Sequence, residues 1–291
     1  MSASRPPVRR SLIAVAAVMS VMALASCGSG GGGSTTAAAK GNPYGLQQPG
    51  TLRVGTLTDA PPNVFLKDGK FTGFDNDLFT AVASKLELKV QFVGTDFSAL
   101  LAQVKNKKFD LGSSSITITD ARKKTVAFTN GYDFGYFGLD VPAGSDIKTF
   151  DQLKGKRVTV VQGTVQDDYA TKLGLDPIRV PDYNGALNQL KAGTAQAWVA
   201  PAEIGEKSAK ESGGKVLLVA KQISSAPTAF AIAQDNPAFL KALNTALDAV
   251  IKDGTWTRLQ DQYYPGRPVP TGFKPGSGSV VFTPLKAGTA S

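Results

Sequence analysis

The sequence predicts an α/β protein in which helices pack on mostly parallel sheets. Runs typical of strands alternate with runs typical of helices from Thr51 onward, and the alternation restarts near residue 150. A length of 291 residues suffices for about two domains. Hydrophobic residues make up 42% of the chain and charged residues 19%. That composition is typical of a soluble globular protein rather than of a coiled coil or a multi-span membrane protein.

In the first half of the chain, the predicted strands are short apolar runs and the predicted helices carry apolar residues at helical spacing. Asp75 is expected to cap a helix whose apolar face holds Leu78, Phe79, Val82 and Leu86. The predicted strands are 52–57, 88–93 and 110–114, the helices are 75–86 and 97–107, a first helical turn lies at 120–122, and an aromatic-rich extended segment covers 132–141.

In the second half, a turn at Gly163 and Thr164 leads into a helix that ends near Gly174. From Pro265 the chain is rich in proline and glycine, which indicates an irregular tail over 265–291. Within the tail, the apolar run 280–282 is a candidate docking segment. The predicted strands are 157–161, 195–199 and 216–220, with an extended segment at 227–233, and the other helices are 150–153, 184–191, 202–211, 236–252 and 255–263.

Composition excludes several classes of site. Histidine is absent, which excludes an imidazole base, a Ser-His dyad and a histidine-bound metal. The single cysteine excludes an internal disulfide, a cysteine-rich zinc site and a cysteine-held iron–sulfur cluster. We therefore expect no metal and no cofactor.

The N-terminus predicts a signal peptide over residues 1–26. Arg5, Arg9 and Arg10 precede an apolar run from Leu12 to Leu24, which small residues follow. The run is shorter than the roughly 20 residues that a transmembrane helix needs. Removing the three arginines, with no acid among residues 1–26, lowers the net charge from +9 to +6. The remaining lysines are scattered without a basic stripe, so nucleic-acid binding is not expected.

Cys27 ends the run Leu-Ala-Ser-Cys, which resembles the lipobox of bacterial lipoproteins, whose cysteine is lipidated. The tract from Gly28 to Ala39 is nearly all Gly, Ser, Thr and Ala and cannot bury enough apolar area to order itself, so residues 27–49 are predicted to be a flexible linker. Acyl chains contribute about 0.8 kcal/mol per buried CH₂, enough for a stable anchor. We expect an extracytoplasmic protein, lipid-anchored to the outer face of the bacterial plasma membrane. The alternative is an ordinary signal peptide with an incidental cysteine.

Five motifs in order give the chain a family resemblance. They are GFDNDL at 73–78, SITITDAR at 115–122, LKGKRV at 153–158, VQGT at 161–164 and KDGT at 252–255. Between residues 52 and 264 the chain resembles the family 3 extracellular solute-binding proteins, the polar amino-acid receptors of ABC importers. The resemblance implies a type II periplasmic-binding-protein-like fold of two α/β lobes joined by two crossing strands. Lobe 1 would be 50–139 plus 229–264 and lobe 2 would be 140–228, with hinges near 140–142 and 225–228.

The resemblance also implies a site in the cleft at the carboxyl ends of the strands, where open α/β sheets generally bind ligands. Arg122 matches the family arginine that grips the ligand carboxylate, and a guanidinium fork pairs with a carboxylate better than lysine does. Thr117 matches a hydroxyl donor to the same carboxylate, and Ser114 and Ser115 match loop contacts to the amine or side chain. Thr164 and Val165 lie where the family presents backbone N–H groups at a helix start.

Aromatic residues divide between the site and the core. Phe97 matches an apolar wall of the pocket, with a core residue as the alternative. Trp198 is expected to fill core space behind the sheet. The four aromatics that should pack the inter-lobe region are Tyr132, Phe134, Tyr136 and Phe137.

Three positions depart from the family pattern, among them Asn63, which stands where the family usually has phenylalanine. Pro201 stands where the family has the aspartate that binds the ligand ammonium, and Ala60 stands where an aromatic stacks on the ligand. Asp59 and Glu203 are candidates for a replacement carboxylate, with a solvated surface charge as the alternative for each. The ligand is therefore expected to be a small carboxylate, most simply an amino acid.

The resemblance predicts a monomeric, non-enzymatic binding protein that delivers its ligand to an ABC transporter permease. A receptor needs no catalytic acid–base pair, and none is evident. Two alternatives stay open: an enzyme of the cyclohexadienyl or arogenate dehydratase type with Glu203 as general acid, and a ligand-sensing module for a membrane partner.

Overall fold

The computed structural model describes residues 41–224 and 226–277. These residues form two α/β lobes, each built on a five-stranded sheet, and a small three-stranded sheet. The predicted signal peptide, Cys27 and the tract that follows it, and the run 280–282 lie outside the described residues. Within the described ranges, no helix is both long and apolar enough to cross a membrane.

The element bounds confirm the predicted alternation to within a few residues. The strands are β1 (Thr51–Thr56), β2 (Asp59–Ala60), β3 (Val64–Lys67), β4 (Lys70–Thr72), β5 (Lys89–Gly94), β6 (Leu111–Thr117), β7 (Ala127–Phe128), β8 (Tyr136–Pro142), β9 (Val158–Val161), β10 (Ile178–Val180), β11 (Ala197–Pro201), β12 (Val216–Ile223) and β13 (Thr228–Ile232). The helices are α1 (Phe74–Lys85), α2 (Phe97–Lys105), α3 (Asp120–Lys123), α4 (Val165–Lys172), α5 (Tyr183–Lys191), α6 (Ala202–Glu211), α7 (Pro237–Lys252) and α8 (Thr255–Tyr263), with a 3₁₀ helix at Phe150–Leu153. Strands β2, β3, β4, β7 and β10 were not predicted, because runs of two to four residues are too short to show a period.

The first lobe is built on the sheet β5-β1-β6-β13-β7. Strand β1 pairs parallel with β5 and β6, while β13 pairs antiparallel with β6 and β7. Helices α1, α7 and α8 pack on one another beside this sheet. Their shared core includes the fully buried Phe74, Phe79 and Phe230.

The second lobe is built on the sheet β10-β9-β11-β8-β12. Strand β9 pairs parallel with β10 and β11, and β8 pairs antiparallel with β11 and β12. Trp198 on β11 is fully buried in the core, as predicted.

The chain crosses between the lobes twice. It leaves the first sheet at Phe128 and enters the second at Tyr136, then returns between Ile223 and Thr228. A bridge between Asp133 and Thr228 joins the two crossings. The residues predicted as the first hinge, 140–142, lie inside the paired strand β8, later than this crossing. The lobe limits given by the resemblance stay predictions.

Helix α1 begins differently from the prediction. Gly73 is its N-cap residue and Asp75 lies within the helix, fully buried. The prediction that Asp75 caps the helix is wrong, because its carboxylate instead accepts hydrogen bonds from Ser115 on β6.

The packed body begins before residue 50. Leu46 is buried in the core of the first lobe, and the ring of Tyr44 lies 5.3 Å from that of Phe239 on α7. The side chain of Asn236, which caps α7, donates to the Tyr44 carbonyl at 2.7 Å. Residues 44–47 of the predicted linker are therefore held against the first lobe, because Tyr44 and Leu46 supply apolar surface that the glycine-rich tract lacks.

Candidate functional site

A cavity of about 50 Å³ lies between the two lobes. Residues at the carboxyl ends of β1 and β6 line it from the first lobe, and residues at the carboxyl ends of β9 and β11 line it from the second. This is the edge at which parallel strands generally present ligand-binding loops. The cavity therefore lies where the sequence predicted a site.

Arg122 is the buried cation at one end of the cavity. Its position follows from α3, whose N-cap Thr119 accepts a hydrogen bond from the Arg122 backbone N–H at 3.2 Å. The guanidinium donates from Nη1 to the Thr117 carbonyl at 2.9 Å and from Nη2 to the Gly163 carbonyl at 3.0 Å. Its carbon lies 5.1 Å from the centre of the Phe97 ring. The hydrogen bond to the Gly163 carbonyl reaches across the cleft from the first lobe to the second.

Among the described residues the guanidinium of Arg122 has no ion-pair partner, although the negative charge of Asp168 on α4 partly offsets the effect of its burial. Arg122 is 8% exposed. No carboxylate among the described residues forms an ion pair with its guanidinium. Burial lowers the pKa of the guanidinium because a charge is disfavoured away from water. A carboxylate bound in the cavity would supply the missing negative charge.

The serine and threonine positions of β6 line the same side of the cavity. Ser114, Ser115 and Thr117 all contact it, and Ser114 and Thr117 are buried. Ser115 has a left-handed backbone, with φ of 45°, which costs energy for a residue with a side chain. Its N–H and Oγ both donate to Asp75, and its Oγ accepts from Asn63 Nδ2 at 2.9 Å. These bonds hold Ser115 in the strained conformation at the edge of the cavity.

Asp75 is the buried acid behind Ser115. Burial raises its pKa to about 7, against the lowering effect of the hydrogen bonds from Ser115. It does not line the cavity itself. Asp75 therefore acts on the site through Ser115.

The turn before α4 contributes residues to the cavity wall from the second lobe. Thr164 is its N-cap: its hydroxyl accepts from the Asp167 N–H at 3.2 Å and donates to the Val161 carbonyl at 2.7 Å. The Gly163 N–H donates to the Asp167 carboxylate on α4 at 3.1 Å, and the Thr164 N–H donates to the Val161 carbonyl at 3.4 Å. Val165, the first residue of the helix, lines the cavity together with Thr164. The turn thus places a helix start opposite the first lobe.

A second charged cluster lies at the cavity, and sequence reasoning found only one of its members. Glu203 lines the cavity from α6, and its Oε1 lies 3.4 Å from Nη1 of Arg267. Nη2 of Arg267 forms an ion pair with Asp133 on the first crossing. The side chains of Arg267, Asp133 and Glu203 are 10%, 4% and 10% exposed. We call these three residues the acid–arginine cluster.

Aromatic and amide groups hold the acid–arginine cluster. The guanidinium carbon of Arg267 lies 3.7 Å from the centre of the Tyr264 ring and 4.3 Å from that of Phe134. Gln260 donates to Asp133 at 2.9 Å and accepts from Arg267 at 2.7 Å. Burial raises the pKa of Asp133 and of Glu203, and the opposing effect of Arg267 does not cancel it.

Arg267 could not be found by pattern, because it stands alone between Gly266 and Pro268 in a stretch with no helical or strand period. Asp133 offered a signal: it is the first acid in an extended segment otherwise rich in aromatic residues, and a buried charge needs a partner.

Asp59 is placed away from the cavity. Its Oδ2 accepts from the N–H of Asn184 at 2.9 Å, at the start of α5 in the second lobe. The other predicted ligand-binding residues, Phe97 and Glu203 among them, all line the cavity, as do Ala60 and Pro201. Of the four aromatics expected between the lobes, Tyr132 and Phe134 are buried, and Phe134, Tyr136 and Phe137 line the cavity. No group of three or more possible metal ligands is found in the described part of the chain.

Comparisons with known proteins identify chains that are similar in sequence and in fold. A sequence profile described as bacterial extracellular solute-binding proteins, family 3, matches residues 52–266. The probable amino-acid-binding protein YxeM of Bacillus subtilis is 31% identical over 265 residues, covering 87% of this chain and 94% of that protein. The lysine/arginine/ornithine-binding periplasmic protein of Escherichia coli is 31% identical over 229 residues, covering 74% of this chain and 88% of that protein.

Among solved structures, the crystal structure of an ancestral amino acid-binding protein, a precursor of cyclohexadienyl dehydratase, aligns with a TM-score of 0.68. It is 32% identical in sequence, and the alignment covers 74% of this chain and 96% of that one.

Proposed function

Because the chain belongs to the bacterial extracellular solute-binding proteins of family 3, we propose that it binds an amino acid or a related small carboxylate between its lobes. It would deliver this ligand to an ABC transporter permease. The observation that carries the proposal is Arg122, a buried guanidinium at the cavity without an acidic partner among the described residues. A guanidinium fork and a carboxylate form two parallel charge-assisted hydrogen bonds, which makes a carboxylate its natural ligand.

The ligand carboxylate would lie on Arg122, with Phe97 packed against the guanidinium. The hydroxyls of Ser114 and Thr117 would donate from the first lobe, and the start of α4 at Val165 would face the ligand from the second. A ligand held from both sides stabilises the closed arrangement, because it makes these contacts only when the lobes meet. Closure is then the signal that the permease would recognise.

The acid–arginine cluster is proposed to receive the ligand ammonium in place of an acid at Pro201. Its two carboxylates and one guanidinium carry a formal charge of −1 when ionised. Together with Arg122, the four charged residues that line the cavity sum to zero. A neutral cavity with a positive end and a net negative end is complementary to a zwitterion.

The protein is proposed to act outside the cytoplasm as a monomer, anchored through a lipid on Cys27. The motif that ends at Cys27 supports the anchor, and the placement of the relatives as extracellular or periplasmic binding proteins supports the compartment.

We propose that the chain is not an enzyme. The dehydratase alternative would need Glu203 as a proton donor, and the solved relative that is a dehydratase precursor keeps it open to test. Arg267 engages the Glu203 carboxylate at 3.4 Å, which favours its ionised form, whereas burial favours its protonated form. Incubation with cyclohexadienyl acids should give no product; turnover that Glu203→Gln abolishes would establish the enzyme instead.

A thermal-shift screen of the purified protein tests the binding proposal. Amino acids, opines, betaines and small organic acids would be screened, and hits measured by isothermal titration calorimetry. At least one carboxylate should raise the melting temperature, because a ligand that binds only the folded state stabilises it. If no carboxylate raises it, the proposed function is wrong.

A further inference from the structure

Tyr183 is the first residue of α5 and lines the cavity from the second lobe. The helix begins here because the side chain of its N-cap, Asp182, accepts from the Gly185 N–H at 2.6 Å. The carboxylate of Asp59 on β2 accepts from the N–H of the next residue, Asn184, at 2.9 Å. These two hydrogen bonds hold the start of α5, and with it Tyr183, in the wall of the cavity.

The hydroxyl of Tyr183 has no hydrogen-bond partner among the described residues, yet its oxygen is not fully enclosed. The residue as a whole is 7% exposed and lines the cavity, so this oxygen is placed to bond a molecule held there. Burial raises the pKa of the phenol, and the hydroxyl therefore keeps its proton and can donate it to an acceptor.

The Tyr183 hydroxyl and the Arg122 guanidinium serve the same end of the cavity. The positive charge of Arg122 opposes the effect of burial on the pKa of Tyr183, and Tyr183 in turn affects the pKa of Arg122. Phe97, whose ring lies against the guanidinium, packs in the same core cluster as Tyr183. A cation from the first lobe and a hydroxyl from the second therefore flank the position proposed for the ligand carboxylate.

The donors at this end match the acceptors of a carboxylate. Arg122 uses two of the five N–H groups of a guanidinium on the Thr117 and Gly163 carbonyls, which leaves three for a ligand. A carboxylate has about four lone-pair sites, of which a bidentate pair with Arg122 fills two. A hydroxyl of the first lobe, from Ser114 or Thr117, fills a third. The Tyr183 hydroxyl supplies the fourth donor.

We propose that the Tyr183 hydroxyl donates to the ligand carboxylate, so that this one group is held by Arg122 from the first lobe and by Tyr183 from the second. The inference rests on the proposed function. A carboxylate held in this way makes its full set of hydrogen bonds only when the lobes meet, so it favours the closed arrangement. Tyr183 then contributes to the binding of every carboxylate ligand, whatever the rest of that ligand contains.

The test titrates wild type and Tyr183→Phe by calorimetry. The probes are the twenty common L-amino acids together with the opines, betaines and small organic acids of the thermal-shift screen. Every probe that binds wild type should bind Tyr183→Phe about tenfold more weakly, because the variant keeps the ring and loses a hydrogen bond to a charged group. Tyr169→Phe is the matched control: Tyr169 lies on α4 of the same lobe, packs against Phe137 and Phe150, and does not line the cavity. Its Kd values should equal those of wild type.

The carboxamide of each bound amino acid separates a direct contact from a general weakening. Loss of the hydroxyl should weaken the binding of the carboxamide at least about threefold less than that of the carboxylate, since a hydrogen bond to a neutral acceptor contributes less. A folded Tyr183→Phe overturns the inference if its Kd values stay within about threefold of wild type, or if acid and amide weaken equally; either result leaves the proposed function standing. Wild-type protein that binds none of the carboxylate probes overturns both.

If Tyr183→Phe does not fold, a crystal structure of wild type with a bound probe decides. The Tyr183 hydroxyl oxygen should lie about 2.5–3.0 Å from a carboxylate oxygen of the probe. A separation of more than about 3.6 Å overturns the inference.

Discussion

Replacing Arg122 with alanine is the substitution that most directly perturbs the proposed grip on the carboxylate. It removes both guanidinium hydrogen bonds, to the Thr117 and Gly163 carbonyls, together with the contact to the Phe97 ring. The first lobe then presents no buried cation at this end of the cavity. Ligand affinity should fall steeply.

The size of the loss follows from the two hydrogen bonds of a bidentate pair. Each hydrogen bond to a charged group contributes about 1.5–3 kcal/mol, so two are worth about 3–6 kcal/mol. Since about 1.4 kcal/mol corresponds to a tenfold change, Kd should rise by a factor of about 10² to 10⁴. Arg122→Lys keeps the charge and loses the fork, so its Kd should rise by about tenfold.

The assay is isothermal titration calorimetry with the ligand found by screening, with folding checked by circular dichroism. Lys123→Ala is the matched control, because Lys123 is the next residue on α3, is exposed and forms an ion pair with Asp120 on its own helix. Its Kd should equal that of wild type. A folded Arg122→Ala variant whose Kd stays within about threefold of wild type would refute the role of Arg122.

Two further predictions concern stability and anchoring. Burial raises the pKa of Asp140, on β8, from its ordinary value of 3.8 to about 8. The folded state therefore keeps a proton that the unfolded state loses, and stability should fall as pH rises from about 4 to about 8, by up to about 1.4 kcal/mol per pH unit. Asp140→Asn removes this contribution, so urea denaturation should show its stability gain over wild type growing between about pH 5 and pH 8; a constant difference would contradict the assignment. For the anchor, Cys27→Ser should move the protein from the membrane fraction to the soluble fraction in the native bacterium, whereas continued sedimentation with membranes would end the lipoprotein proposal.

The alternation of elements could be predicted from the sequence because it depends on local periodicity. Helices such as α7 show apolar residues at helical spacing, and Asn236 and Pro237 mark its start as capping chemistry requires. The short strands β2, β3 and β4 could not be predicted, since their pairing depends on neighbours rather than on a period. Asp75 misled the prediction because its partner, Ser115, lies forty residues further along the chain.

The site residues could likewise be predicted where a sequence motif marks them and were missed where contacts join distant positions. Arg122 could be predicted because the motif at 115–122 resembles that of the family, and this motif runs from β6 into α3. Arg267 was missed because its pairing with Asp133 joins positions 134 residues apart. Asp59 and Glu203 looked alike as isolated acids, and only the three-dimensional structure separates them: one faces the start of α5 and the other faces the cavity.

The proposed capture of the ligand depends on a carboxylate that pairs with Arg122 and draws the lobes together. Calorimetric titration of the identified ligand beside its own carboxamide, with the rest of the molecule unchanged, tests that pairing without altering the protein. The carboxamide should bind about a hundredfold more weakly or worse, because it carries no negative charge for the guanidinium fork. A carboxamide that binds within about threefold of the parent ligand would contradict the proposed pairing of the ligand carboxylate with Arg122.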